Sequence, residues 1–301
     1  MAATVEPTAS DAAGNLPLLA GDHQDIGGRK QQEDRSVCIP DLNEVVAKRR
    51  PEVATDVRRA FFAVFDGFGG YQASDWLKDS FHVKLVMHES FADDPQKALQ
   101  EVFASLDAEL LEVMEGRDQQ KNKGNPVLVR CGSCATACLV VGNEVYVGNV
   151  GDSSCVVYRR KGAPPPAAEM LTIDHKAGLQ SERDRIAAAG GSTEQKTHDI
   201  PGFLCWKTRT VNVGPVRVQP GGLAVSRGFG AGHAKVRAAQ PAHPRSLAPV
   251  DRRRPPLFSL ATHRVRCAVS RSWKSSRARR AASSATRRCA RSRSMRRCSA
   301  S

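Results

Sequence analysis

No stretch of this sequence approaches the roughly 20 consecutive apolar residues that a membrane-spanning helix needs, so no membrane partner is expected. The opening residues, MAATVEPTASDAAGNLPLLAG, contain no basic segment and no long apolar run. A secretory signal is therefore not expected, and the missing Arg argues equally against a mitochondrial presequence. With Ala2 after Met1, N-myristoylation is not expected. Aromatic residues are scarce at 5%. Acidic residues are all but missing after position 235: residues 236–301 hold 17 Arg and one Lys against the single acid Asp251.

That asymmetry changes the meaning of the net charge of +14. Residues 236–301 carry +17, whereas residues 1–235 hold 27 basic and 30 acidic side chains, a net of −3. A uniformly basic nucleic-acid-binding domain is excluded. The tail carries only Phe258 and Trp273 as aromatics, too few for base stacking. Weak, non-specific, salt-dependent attraction to nucleic acid is the most its charge implies. The length of 301 residues suffices for a sizeable core. The nine cysteines, an odd number without a signal, point to free thiols in a reducing compartment, cytoplasmic or nuclear. Cys131, Cys134 and Cys138 lack a following Cys or His pair at zinc-finger spacing. They read instead as small apolar side chains in a buried strand.

Three regions follow: a flexible leader over 1–20, a globular body over 21–235 and an Arg/Ser/Ala/Pro-rich tail over 236–301. The tail has no apolar periodicity and is expected to be disordered. In the body, AFFAVFD (60–66) reads as a buried strand. Ala73, Trp76, Leu77, Phe81 and Leu85 form one helical stripe over 72–88. Leu99, Val102, Phe103, Leu106, Leu110, Val113 and Met114 define a helix over 95–115, with Asp94 as its cap and Pro95 in its first turn. CATACLVV and EVYVGNV are strands joined at Gly142-Asn143, and SSCVVYRR reads as the third strand of a meander. KGAPPPAAE reads as a Pro-rich loop. Ser181 and Asp184 suggest a capping box for a short helix ending at Gly190-Gly191. VRVQPGGLAVSRGFG reads as strand, turn, strand. The order of elements predicts an α+β fold.

Several carboxylates fall where chemistry is placed. Asp66 ends an apolar strand and is followed by Gly67, Phe68, Gly69, Gly70 and a helix. An acid at a strand tip is rigidly held yet open, and the adjacent glycine lets a backbone carbonyl approach a ligand closely. Both features suit a hard cation such as Mg²⁺ or Mn²⁺, although Asp-Gly is more commonly a plain turn. Upstream, Arg29, Glu33 and Asp34 combine a phosphate-seeking cation with further acids. Downstream stand Asp152 in GNVGDSS, and Asp174 and His175 in LTIDHK. Each reads singly as a turn residue, and His175 as a structural histidine.

Together, Arg-x₃-Glu-Asp, VFDG-x-GG, GSCA, NVGDS, LTIDHK with Glu182 and Arg185-Ile186, and GGLAVSRGFG resemble the metal-dependent protein serine/threonine phosphatases of type 2C. The resemblance runs from about Gly21 to about Lys235. It implies an antiparallel β-sandwich with helices on both outer faces, and two Mg²⁺ or Mn²⁺ ions sharing a water that attacks the phosphorus of phosphoserine or phosphothreonine. By motif match, it implies that Asp66 bridges the ions and Gly67 offers its carbonyl. Glu33 binds one ion, Asp34 orients metal-bound water, and Asp152 acts on such water or as a ligand. Arg29 holds the substrate phosphate. The implied partner is a phosphoprotein, with a monomer as the default state.

Four positions depart from the pattern. Phe68 replaces a histidine proposed to protonate the leaving oxygen, a role worth roughly 10²–10⁴-fold. Cys134 stands for the Thr of Gly-Ser-Thr-Ala, Ser154 for an Arg, and Ala231 for an Asp. The Asp-Gly-x-Trp-Asp and Asp-Asn segments of the family's last third have no match after residue 235. One of the two cation sites is therefore expected to be incomplete, and sheet edges to be exposed. An altered reading frame past codon 235 would account for the break, the charge jump and the lost motifs together. The alternative to an enzyme is a catalytically inactive pseudophosphatase that binds a phosphoprotein or kinase.

Overall fold

The computed structural model describes residues 18–115, 130–159, 167–201, 208–235 and 263–266. The chain divides into two units, Met1–Val265 and Arg266–Ser301, and all that follows concerns the first. The leader expected over 1–20 and the tail expected over 236–301 lie almost wholly outside the described residues. Within the tail, His263–Arg266 forms a strand.

The main sheet is built on β2 (Arg59–Phe65), which pairs antiparallel with β1 (Arg35–Ile39) and β5 (Ala135–Val141). Strand β6 (Glu144–Val150) adds to β5 through the Gly142-Asn143 turn, as the sequence predicts. Side chains alternate across this sheet. Val37, Phe61, Ala63, Phe65, Ala137 and Leu139 face a layer of helices, and that face is the core. Helix α2 (Gln72–Met87) and helix α3 (Pro95–Glu115) supply the other side. Both expected stripes are buried, apart from Val113, which is exposed, and Trp76, which is half-buried. Asp94 caps α3 by accepting the Lys97 N–H at 3.0 Å. A chain of rings crosses the layers: Phe61–Phe81 at 5.5 Å, Phe81–Phe103 edge-on at 5.0 Å, and Phe103–Phe229 at 5.5 Å between centroids. These separations lie in the favourable range for aromatic pairs.

The expected α+β architecture of helices and antiparallel sheets is what the chain adopts. Outside the main sheet, the described strands form three small ladders. They are β3 (Gly67–Phe68) with β4 (Gly132–Ser133) and β11 (Phe229–Gly230), β7 (Val156–Arg159) with β8 (Ala167–Met170), and β9 (Ser192–Pro201) with β10 (Thr208–Gln219). Four local expectations are corrected. The third meander strand, β7, does not join β6, because the chain reverses at Gly151 and pairs instead with β8. Ala167, Ala168 and Glu169, expected as the end of a Pro-rich loop, belong to that β8 partner. Ser181 and Asp184 form no capping box: α4 (Gln180–Ala188) begins one residue before Ser181, and Leu179 at its N-cap has no side-chain oxygen to offer. After Pro220 there is no continuous strand, only isolated bridges at Leu223 and Val225 before the short β11. Strand β9 was not expected at all, because STEQKTHDIP lacks an apolar alternation.

The β7–β8 ladder covers part of the sheet face opposite the helices, through Val147 and Leu171 with Cys138, Val145 and Val157. On the β2 side of that face Val64 remains 50% exposed. A third cluster joins α4 to β10 through Ile186, Ala177 and Val218.

Candidate active site

The strand tips converge on Asp66. Its carboxyl stands at the end of β2, and its backbone carbonyl accepts the Cys134 N–H at 2.8 Å, which locks the start of β5 beside it. The next residue cannot carry a side chain. A Cβ on Gly67 would fall well inside van der Waals contact of the Glu33 carbonyl oxygen and would also press on Ser74 Oγ. The Ser74 hydroxyl, near the start of α2, donates to that same Glu33 carbonyl. Glu33 and Asp34 are thus held against the Asp66-Gly67 corner. Arg35 completes the clamp: its guanidinium donates to the backbone carbonyls of Gln32 (3.0 Å) and Asp34 (2.8 Å), and its Nε to Asp75 at 2.8 Å.

The third contribution comes from the turn after β6. The Thr136 hydroxyl donates to Asn149 Oδ1 at 2.6 Å, and Asn149 Nδ2 donates to the Ile173 carbonyl at 3.1 Å. The Gly151 N–H donates to His175 Nδ1 at 3.2 Å, and the His175 backbone N–H returns a bond to the Gly151 carbonyl at 2.8 Å. His175 is 6% exposed and is the structural histidine the sequence suggests. Burial, reinforced by the Arg227 and Arg185 charges, pushes its imidazole down to about 4, so it stays neutral and can accept. These bonds set the Gly151-Asp152 turn, where Gly151 takes a φ of +101°. Asp152 is thereby delivered to Asp66.

Asp66, Cys134 and Asp152 present ligand atoms that all lie within 4.8 Å of one another. The Asp66 carboxyl is pushed up to about 6. Desolvation of its inner side is the main cause, followed by the like charges of Asp34 and Asp152 and a hydrogen bond with Asp34, while Arg29 opposes the shift. Its outer side stays open to solvent. Of the residues expected at the site, Asp34, Asp66 and Asp152 therefore converge. Gly67 and the Glu33 backbone touch, and Arg29 lies within electrostatic reach of Asp66. The Glu33 carboxylate acts electrostatically on Cys131. Carboxylates crowded at a rigid corner beside a close-packed backbone are a donor set for a hard divalent cation, whose charge would relieve the repulsion.

The sequence marks Cys134 as a buried-strand residue and as a departure from Gly-Ser-Thr-Ala, but not as a member of the site. Burial, with the Asp66 and Asp152 charges adding, pushes its thiol up to about 12. Sequence reasoning passed over Arg35, Ser74 and Asn149, none of which ends a motif. A second polar centre, around Glu182, lies within electrostatic reach of His175. Burial alone would raise the Glu182 carboxyl, but hydrogen bonds from Arg227, Arg185 and Ser226 hold it well below the usual carboxylate range. That ionic knot ties α4 to the Ser226-Arg227 segment. Phe68, in the position where a proton donor was expected to be missing, turns its ring onto Gly132 and borders a cavity of about 110 Å³ shared with Ile186, Val218 and Ser226.

The acids gathered at the strand tips of this α+β scaffold form a candidate cation site, and comparison with known proteins gives the scaffold a family. The Protein phosphatase 2C family model matches residues 21–250. "Probable protein phosphatase 2C 11" of Arabidopsis thaliana is 39% identical over 171 residues, 57% of this chain and 37% of that protein. "Probable protein phosphatase 2C 16" of Oryza sativa subsp. japonica is 33% identical over 227 residues, 68% of this chain and 40% of that protein. The crystal structure of a serine-threonine phosphatase 2C from Toxoplasma gondii superposes with a TM-score of 0.59 at 22% identity, covering 90% of this chain and 78% of that one, a likeness of fold. The chain belongs to the protein phosphatase 2C family. It spans less than half the length of these two plant relatives.

Proposed function

We propose that this chain acts on phosphoserine and phosphothreonine in phosphoproteins as a metal-dependent phosphatase, with Mg²⁺ or Mn²⁺ at the Asp66 cluster. The observation that carries the reading is the convergence of Asp34, Asp66 and Asp152 from three separate segments onto one corner. In this reading Asp66, the Gly67 carbonyl and Glu33 would hold the cations, and Asp34 and Asp152 would ligate or orient water. When bound, the cations supply a nucleophilic water and neutralise charge on the phosphoryl group. Arg29 supplies the planar cation that suits a phosphate. Phe68 can neither give nor take a proton, so leaving-group protonation falls to solvent. In this reading the protein works in the cytoplasm or nucleus, a compartment that its odd number of cysteines favours, as a monomer that meets its phosphoprotein directly.

The test is phosphate release from phosphoserine and phosphothreonine peptides with and without Mn²⁺. Mn²⁺-dependent release that vanishes in Asp66→Asn is expected. Release that survives in Asp66→Asn refutes the assignment of Asp66. A second reading, a pseudophosphatase that binds phosphoproteins or a kinase without turnover, is favoured by Phe68. It predicts phosphopeptide binding with no release in the wild-type chain.

A further inference from the structure

The Asp66 corner contains one group that an all-oxygen cation site does not need. Cys134 places its Sγ within 4.8 Å of ligand atoms of both Asp66 and Asp152. The residue is 2% exposed, and its thiol donates to Asp152 Oδ1 across 3.6 Å. It is not free to turn away: its backbone N–H is bonded to the Asp66 carbonyl, and its side chain lies against Gly151 so closely that no Cβ fits there.

We propose that Cys134 is a metal-ligating residue, and that its sulfur lets this centre take thiophilic divalent ions of the Zn²⁺ class through Asp66, Cys134 and Asp152. The proposal rests on the reading of the Asp66 cluster as a metal centre. Thiolate sulfur favours borderline-soft ions, whereas carboxylate and carbonyl oxygens suit Mg²⁺ and Mn²⁺. As the metal–sulfur bond forms, the Sγ proton leaves to solvent, and the two carboxylates that would repel a bare thiolate instead help hold the ion that stabilises it. Cys131, three residues earlier, turns elsewhere: its Sγ bonds to the Gly69 carbonyl at 3.0 Å and Gln72 Oε1 at 3.2 Å.

The experiment uses Cd²⁺ as the probe, titrated into the full chain while ultraviolet sulfur-to-metal charge-transfer absorption is recorded. Mn²⁺ binding is followed in parallel by electron paramagnetic resonance. Wild type is compared with Cys134→Thr and Cys134→Ser. The expected result is a saturable band in wild type that both variants lose, with Cd²⁺ affinity falling about tenfold or more, the scale set by loss of one supporting group at a metal, while Mn²⁺ binding persists. A band unchanged in both variants places the sulfur on another cysteine and overturns the inference. Mn²⁺ binding without any Cd²⁺ band in wild type overturns it too, and leaves the metal-centre reading standing. Failure of wild type to bind either ion overturns both.

Discussion

Replacing Asp66 with asparagine should stabilise the metal-free protein, and only at neutral and alkaline pH. The carboxyl sits among Asp34, Asp152 and a desolvating wall that together move it from 3.8 to about 6. At about 1.36 kcal/mol per tenfold change, that shift corresponds to roughly 3 kcal/mol against the ionised form. The open outer side of the residue and screening by solvent reduce the figure to about 1–2 kcal/mol. For a carboxyl whose folded value is raised, the penalty is absent below pH 3.8, grows as pH rises towards 6 and is fully present above it. Asp66→Asn should therefore gain about 1–2 kcal/mol over wild type at pH 8 in chelator, and nothing measurable at pH 4. A melting-temperature rise of about 2–8 °C at pH 8 corresponds to that gain in a body of this size. Saturating Mn²⁺ should invert the order. Wild type gains about 2.7 kcal/mol at a hundredfold excess over Kd, and the variant gains little. Urea denaturation at both pH values, with and without Mn²⁺, measures all four states. An Asp66→Asn protein that is less stable than wild type at pH 8 without metal, or whose gain is the same at pH 4, refutes the account of a corner strained by its own charge.

Other perturbations read other parts of the fold. Gly151→Ala forces a φ of +101° on a residue with a side chain and drives its Cβ into Cys134; a loss of about 1–3 kcal/mol in urea denaturation should accompany weakened Mn²⁺ binding. His175, held down to about 4 by burial and nearby arginines, takes up its proton less readily folded than unfolded. Stability should then fall as pH drops from 6.5 towards 4, by about 2 kcal/mol between pH 7 and 5, and His175→Gln should flatten that slope in the same assay. Phe81→Ala removes the ring that links Phe61, Phe65 and Phe103, and a loss of about 3–5 kcal/mol is expected from the urea midpoint. Since whole domains hold about 5–15 kcal/mol, this variant should be near the limit of folding.

Local physics was readable from the residues themselves. The 3.6-residue stripes of α2 and α3, the apolar runs of β2 and β5, and the Gly142-Asn143 turn depend on neighbours in the chain, so composition and spacing determined them. The apolar run before Asp66 likewise puts it at a strand end, and Gly151-Asp152 reads as the turn after β6. What pairs with what was beyond reach of the sequence. The departure of β7 to β8 turns on contacts between segments, and β9 owes its strand to pairing with β10, since STEQKTHDIP carries no apolar alternation of its own. The same holds at the site. Cys134 has the pattern of a core residue, and its address between two carboxylates exists only because β5 is bonded to the tip of β2 while the Asn149 and His175 hydrogen bonds swing Asp152 across. Charge and periodicity fixed which residues could carry chemistry, and the long-range pairing of backbones decided which of them meet.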